Sequence, residues 1–154
     1  INNQTIRVFT THLESVRFKN TDFQALRNLK EPVKASLGSS RLIAYKLRNA
    51  YQVRASQAET LSKKIKESPH PVIVCGDFND VPNSYTYFTV KGNLQDAFLK
   101  KGSGFGRTLR LISPTLRIDY ILADKKFDIT QFYVLKVPYS DHYPIIADIS
   151  IPKN

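Results

Sequence analysis

The chain has 154 residues, 42% of them hydrophobic, which is enough for one domain with a real core, and no apolar stretch approaches the roughly 18 residues of a membrane span. It carries 23 Lys and Arg against 13 Asp and Glu, a formal net charge of +10, and this favours an anionic partner such as nucleic acid, a phospholipid headgroup or a small phosphorylated solute. A single cysteine, Cys75, excludes an intrachain disulfide framework, and nothing resembles a signal peptide. The net charge does not choose among those partners, and a basic face merely solvated by water accounts for it equally.

In chain order, residues 5–12 read as a strand that ends at His12 and needs neighbours from its start. With no Met in the chain and a bulky Ile1, this reads as a piece of something longer. A polar segment follows through Pro32. From Ser40 to Lys66 the spacing of Ile43, Leu47, Ala50, Tyr51, Ala58, Leu61 and Ile65 predicts a helix with one apolar stripe. Ser39 or Ser40 is its expected cap, and Ser68-Pro69-His70-Pro71 stops it. Arg54 interrupts the stripe, so it either snorkels or meets a buried acid. The β-branched run 72–75 predicts a strand buried on both faces, with Cys75 as a small apolar residue within it.

Residues 83–91 read as a short helix opened by Asn83 or Ser84. Leu94 to Phe98 is a brief apolar patch, and Gly102-Ser103-Gly104-Phe105-Gly106 is a flexible loop. Arg117 to Leu122 resumes strand character, Asp124-Lys125-Lys126 turns, and residues 129–134 and 145–149 read as the last strands, with loop at 138–142 between them. No repeat, linker or low-complexity tract interrupts the chain, so residues 1–154 are expected to form one unit.

The chemistry gathers at strand ends. The apolar run before Gly76-Asp77-Phe78-Asn79 places a carboxylate and a carboxamide at the carboxyl end of a buried strand, where hard oxygen ligands for Mg²⁺ are offered. Asp141 and His142 add a second anion and a proton-transfer group that titrates near neutrality. By strand alternation Arg117, Asp119 and Ile121 share a face, so Asp119 points into a partly enclosed region and needs a partner. His142 is the natural candidate, because an Asp-His pair fixes the imidazole tautomer and stabilises imidazolium. Pairing of Asp119 with Arg117 or a Tyr hydroxyl is the other reading. His12 offers a ring N–H to a phosphate oxygen or is simply structural, and Asp77 and Asp141 also suit Asx turns.

Taken together, Thr11-His12-Leu13, Gly76-Asp77-Phe78-Asn79, Arg117-Ile118-Asp119-Tyr120-Ile121 and Ser140-Asp141-His142-Tyr143-Pro144 resemble successive signatures of the DNase I-like endonuclease/exonuclease/phosphatase superfamily. The resemblance implies an α/β fold, a four-layer α/β sandwich of two mixed sheets between helices, here without its N-terminal part. It implies metal-dependent hydrolysis of phosphate esters, as phosphodiesterase or phosphatase, by attack of water in line. In that reading His142 is the general base or acid oriented by Asp119, Asp77 positions water or metal, and Asn79 holds phosphate or metal. Asp141 contributes to the Mg²⁺ or Mn²⁺ site, and His12 binds phosphate and stabilises the transition state.

The family also brings an early Asn and a metal-binding Glu, and Glu14 does not stand at the matching place. The chain is therefore expected to be the C-terminal portion of such a domain, to need the missing N-terminal segment, and to be inactive alone. A nonspecific endonuclease or exonuclease on DNA or RNA, with Phe105 as a wedge, and a non-catalytic anion-binding module are the alternatives.

Overall fold

The computed structural model describes residues 5–16, 18, 21–22, 37–110 and 115–151. Most of the polar segment expected up to Pro32 lies outside them. The strand expected at residues 5–12 is β1, Arg7–His12, and the run after Pro71 is β2, Val72–Asp77. They pair in parallel, Arg7 opposite Val72 and His12 opposite Asp77. Parallel neighbours need a long crossover, and the helix α1, Leu37–Lys66, lies between them in sequence.

This helix begins upstream of the expected start, so Ser39 and Ser40 lie within its first turn and not ahead of it. Lys63, Lys64 and Lys66 complement the negative end of its dipole, and Ser68-Pro69 ends it. Of the predicted stripe, Ile43, Ala50 and Ala58 are buried, whereas Tyr51 is half exposed. Tyr51 is one residue past Ala50 and therefore about 100° round the helix. Its place on the buried side is taken by Arg54, which is 1% exposed. Arg54 meets a buried acid, with Nε 3.3 Å from Asp80 Oδ2 and Nη1 donating to the Glu14 carbonyl at 2.9 Å.

After β2 comes α2, Tyr85–Lys91, capped by Ser84, whose hydroxyl accepts from the Tyr87 N–H. The apolar patch resolves into β3, Gln95–Asp96, and α3, Ala97–Lys101, with Asp96 capping α3. Then follow β4, Asp119–Ala123, β5, Asp128–Val134, and β6, Ile145–Ser150. The first sheet has order β1-β2-β4-β3 and is mixed, because β4 runs antiparallel to both β2 and β3. The second sheet is the antiparallel pair β5-β6.

Alternation in β2 sends Val72 and Val74 to one face, where they pack with Leu122, Tyr120 and Phe78 under Ala58 of α1 and Tyr87 and Val90 of α2. Each such side chain contributes about 1.5–3 kcal/mol when fully buried. The opposite face carries Ile73, Ile121 and Ala123 against Ile129, Ala147 and Ile149 of the second sheet. Burial of β2 on that side is partial, since Ile73 and Cys75 are only half-buried. Among the described residues, three layers are present: helices, a mixed sheet and a second sheet. This is an α/β sandwich.

Candidate active site

Register places the site. His12 lies opposite Asp77, and Asp77 lies opposite Asp119, so three of the candidate site residues line up across three strands at one end of the sheet. Gly76 permits the close approach of β1 at this row. It has φ +144°, and a Cβ there would fall 1.9 Å from the Thr11 carbonyl oxygen.

The next residues aim the carboxylate. Phe78 is fully buried, and its N–H donates to the Ile118 carbonyl at 2.9 Å, which pins the chain as it leaves β2. Asn79 then adopts φ +50°, a left-handed conformation that Asn tolerates. Its backbone N–H donates to Asp77 Oδ1 at 2.7 Å, and its Nδ2 donates to Asp77 Oδ2 at 3.1 Å and to the Leu13 carbonyl at 2.9 Å. The Asx-turn reading of Asp77 therefore holds alongside its place in the site.

His142 arrives from the loop before β6, its N–H donating to Ser140 Oγ at 3.1 Å. Its Nδ1 lies 2.9 Å from Asp119 Oδ2, and its Nε2 lies 4.0 Å from Asp77 Oδ2. An ionised carboxylate only accepts, so this contact puts the proton of the neutral ring on Nδ1 and leaves Nε2 as an acceptor on the Asp77 side. The ring of His12 is well exposed and reaches to 3.6 Å from Asp77 Oδ2. Burial pushes the Asp77 carboxyl above the usual carboxylate range, the Asn79 N–H opposes this, and the charge of Asp119 raises it further.

These groups line one cavity of about 780 Å³, which also takes in Asn79, Asp141, Tyr51 and Arg54. Ligand atoms of Asp77, Asp119 and His142 all lie within 4.8 Å of one another, a grouping that can hold a metal ion. Asp141 lines the cavity but stands outside that group. It is exposed, near Ser140 Oγ at 3.3 Å, and its carbonyl accepts from the Arg110 N–H. The expected meeting of Asp119 with His142 is present. Arg117 is no partner of Asp119: it precedes β4 rather than belonging to it, and its Nη1 lies 2.8 Å from Asp96 Oδ2 in the core.

Sequence reasoning missed Thr108. This fully buried residue accepts at Oγ1 from the N–H groups of Ile118 and Asp119, and its carbonyl accepts from the Tyr143 N–H. A threonine between Arg107 and Leu109 in a loop carries no local signal of such a role.

A model of the Endonuclease/Exonuclease/phosphatase family matches residues 6–142, a span that contains every residue of this site. The chain belongs to the endonuclease/exonuclease/phosphatase family. That family joins nucleases and phosphatases, so its members are in general hydrolases of phosphate esters. Among solved structures, a family protein from Bacteroides thetaiotaomicron is 25% identical, with TM-score 0.58, covering 67% of this chain and 46% of that one. Another from Bacteroides vulgatus is 27% identical, with TM-score 0.58, covering 66% and 45%. Truncated Caenorhabditis elegans TDP2, 18% identical with TM-score 0.60, covers 96% of this chain and 55% of its own length and shares the fold. This chain spans about half the length of these structures. No curated protein matches it. Among the described residues, no helix is long and apolar enough to cross a membrane.

Proposed function

We propose that these residues hydrolyse a phosphate ester, with His142 as the proton acceptor and Asp119 as the group that holds it. The observation that carries this reading is the 2.9 Å contact between His142 Nδ1 and Asp119 Oδ2. With Nδ1 bound, Nε2 is available to take a proton from water as the water oxygen attacks phosphorus; the ester oxygen departs with the bonding pair. Imidazolium then faces two carboxylates, Asp119 and Asp77, which stabilise it. His12, with its exposed ring at the rim, is the group we assign to a phosphate oxygen, whereas both Nδ2 hydrogens of Asn79 go to Asp77 and the Leu13 carbonyl, so the Asn79 carboxamide oxygen suits a cation and not a phosphate.

The donor chemistry fits a divalent cation. Asp77 is a carboxylate whose charge is disfavoured by burial and by Asp119, and a hard cation relieves both penalties. Mg²⁺ or Mn²⁺ takes one or two carboxylates together with substrate phosphate, so Asp77 is the primary protein ligand, with Asn79 and Asp141 at its margin. When bound, such an ion polarises the phosphoryl oxygens and neutralises the leaving oxygen. Asp119 is committed to His142, and Asp80 to Arg54. Among the described residues this leaves Asp77 and the exposed Asp141 as the carboxylates open to a cation in the cavity, so metal binding is weak and turnover low, and a further carboxylate would strengthen both.

Mn²⁺ titration of the chain with an activated phosphodiester and the matching monoester tests this. Slow, metal-dependent release that disappears in His142→Ala is expected. Robust turnover at micromolar metal would overturn the weak-site reading, and release unchanged in His142→Ala would overturn the reaction assignment.

A further inference from the structure

The His142–Asp119 contact joins two segments 23 residues apart, one at the start of β4 and one on the loop before β6. Thr108 bonds to both. Its Oγ1 accepts from Ile118 N–H at 3.0 Å and from Asp119 N–H at 3.2 Å, which sets the backbone from which the Asp119 carboxylate projects. Its carbonyl accepts from Tyr143 N–H at 2.7 Å, and the adjoining Leu109 bridges His142 in antiparallel fashion. Its own N–H donates to the Leu116 carbonyl at 2.9 Å, closing the loop that carries it against the approach to β4.

We infer that Thr108 is a positioning residue for the reaction proposed above: its hydroxyl and carbonyl hold the Asp119 and His142 segments in the one relation that locks the imidazole tautomer. The hydroxyl is the specific requirement. Thr108 is fully buried, so no water replaces Oγ1 as acceptor when it is removed. Valine matches threonine in shape but offers no acceptor to the two N–H groups, whereas serine keeps the acceptor and loses only a methyl. The positioning claim rests on the reading of His142 as the reacting base, but the relation of the two segments is measurable without turnover.

The experiment compares wild type, Thr108→Val and Thr108→Ser by ¹⁵N imidazole NMR and by metal-dependent phosphodiester hydrolysis. Wild type and Thr108→Ser are expected to show His142 with a protonated Nδ1 and a bare Nε2. In Thr108→Val the ring is expected to revert to the mixed tautomers of a free imidazole. Displacing a reacting group by about 1 Å costs up to roughly 100-fold, so kcat should fall between about tenfold and 100-fold in Thr108→Val, with KM little changed and serine close to wild type. A wild-type His142 signature and kcat in a folded Thr108→Val would overturn the inference. An inactive wild type that still shows the locked tautomer, lost in valine and kept in serine, would sink the reaction assignment and leave the positioning role standing. Should Thr108→Val not fold, amide exchange in wild type decides: common slow exchange at Ile118, Asp119 and Tyr143 supports the clamp, and loop-like exchange at Asp119 refutes it.

Discussion

Replacing Asp96 by alanine is expected to bring the domain to the edge of unfolding, although Asp96 lies outside the active-site cavity. Both Asp96 and Arg117 are almost wholly buried. Asp96 Oδ2 takes Arg117 Nη1 at 2.8 Å and the Tyr87 hydroxyl at 2.7 Å, while Oδ1 takes the Phe98 and Leu99 N–H groups at the start of α3. The guanidinium is packed over Phe98 at 4.6 Å and Tyr120 at 4.7 Å, so it cannot swing out to water without dismantling aromatic packing. Breaking a buried pair from one side costs about 3–5 kcal/mol. Loss of the cap costs about 1 kcal/mol, and the orphaned Tyr87 hydroxyl roughly 1–3 kcal/mol more. These contributions overlap, giving a total of about 4–6 kcal/mol against a domain stability of about 5–15 kcal/mol. Urea denaturation followed by far-UV circular dichroism measures it. Asp96→Asn, which keeps the cap acceptor, should lose less, and the double variant Asp96→Ala/Arg117→Met should recover part of the loss because no buried charge is left alone. A loss below about 1 kcal/mol in Asp96→Ala, or a double variant no better than the single one, would refute the reasoning.

Asp77→Asn should stabilise the protein near neutral pH. The folded-state pKa of Asp77 is raised, so the charged carboxylate disfavours folding above that pKa and contributes nothing below the unfolded value of 3.8. The advantage of asparagine should therefore grow as pH rises above about 4 and then level off, as read from thermal melts across pH. A melting-temperature difference between Asp77→Asn and wild type that is the same at pH 3 as at pH 7 would remove the basis for calling Asp77 a penalised charge. Gly76→Ala should prevent stable pairing of β1 with β2, since the new Cβ meets backbone at Thr11 and not a yielding side chain. A loss of more than about 4 kcal/mol marks a severe mechanism of this kind, and a soluble variant melting within a few degrees of wild type would contradict it.

Much of the site was legible because its residues sit where strands end. The apolar run 72–75 announced a buried strand, and the polar residues after it had to emerge at one sheet end. Asp119 was legible as a half-buried charge in need of a partner, and the fold supplies His142 at the expected place. Arg54 was legible as an anomaly on an apolar stripe, although Asp80 as its partner was not. What stayed hidden depends on tertiary register. Asp96 lay inside an apolar patch and pairs with Arg117 across 21 residues. Arg117 was expected in a strand that begins only at Asp119, so alternation put it on the wrong face. Thr108 acts by accepting backbone N–H groups, a role that no side-chain pattern advertises. Asp141 lines the cavity but is exposed and stands outside the grouping of Asp77, Asp119 and His142, a difference that its place beside His142 in the sequence did not reveal.

If Asp119 makes His142 a base, the rate of Asp119→Asn reveals it. Asparagine fills the same space but can present an amide to Nδ1, which reverses the tautomer and leaves a hydrogen on Nε2 where the acceptor is needed. In a saturating Mn²⁺ phosphodiester assay, kcat is predicted to fall by about 10²–10⁴ while circular dichroism and KM stay close to wild type. A folded Asp119→Asn within about threefold of the wild-type rate would contradict the account, since His142 would then react without the carboxylate that is said to hold it.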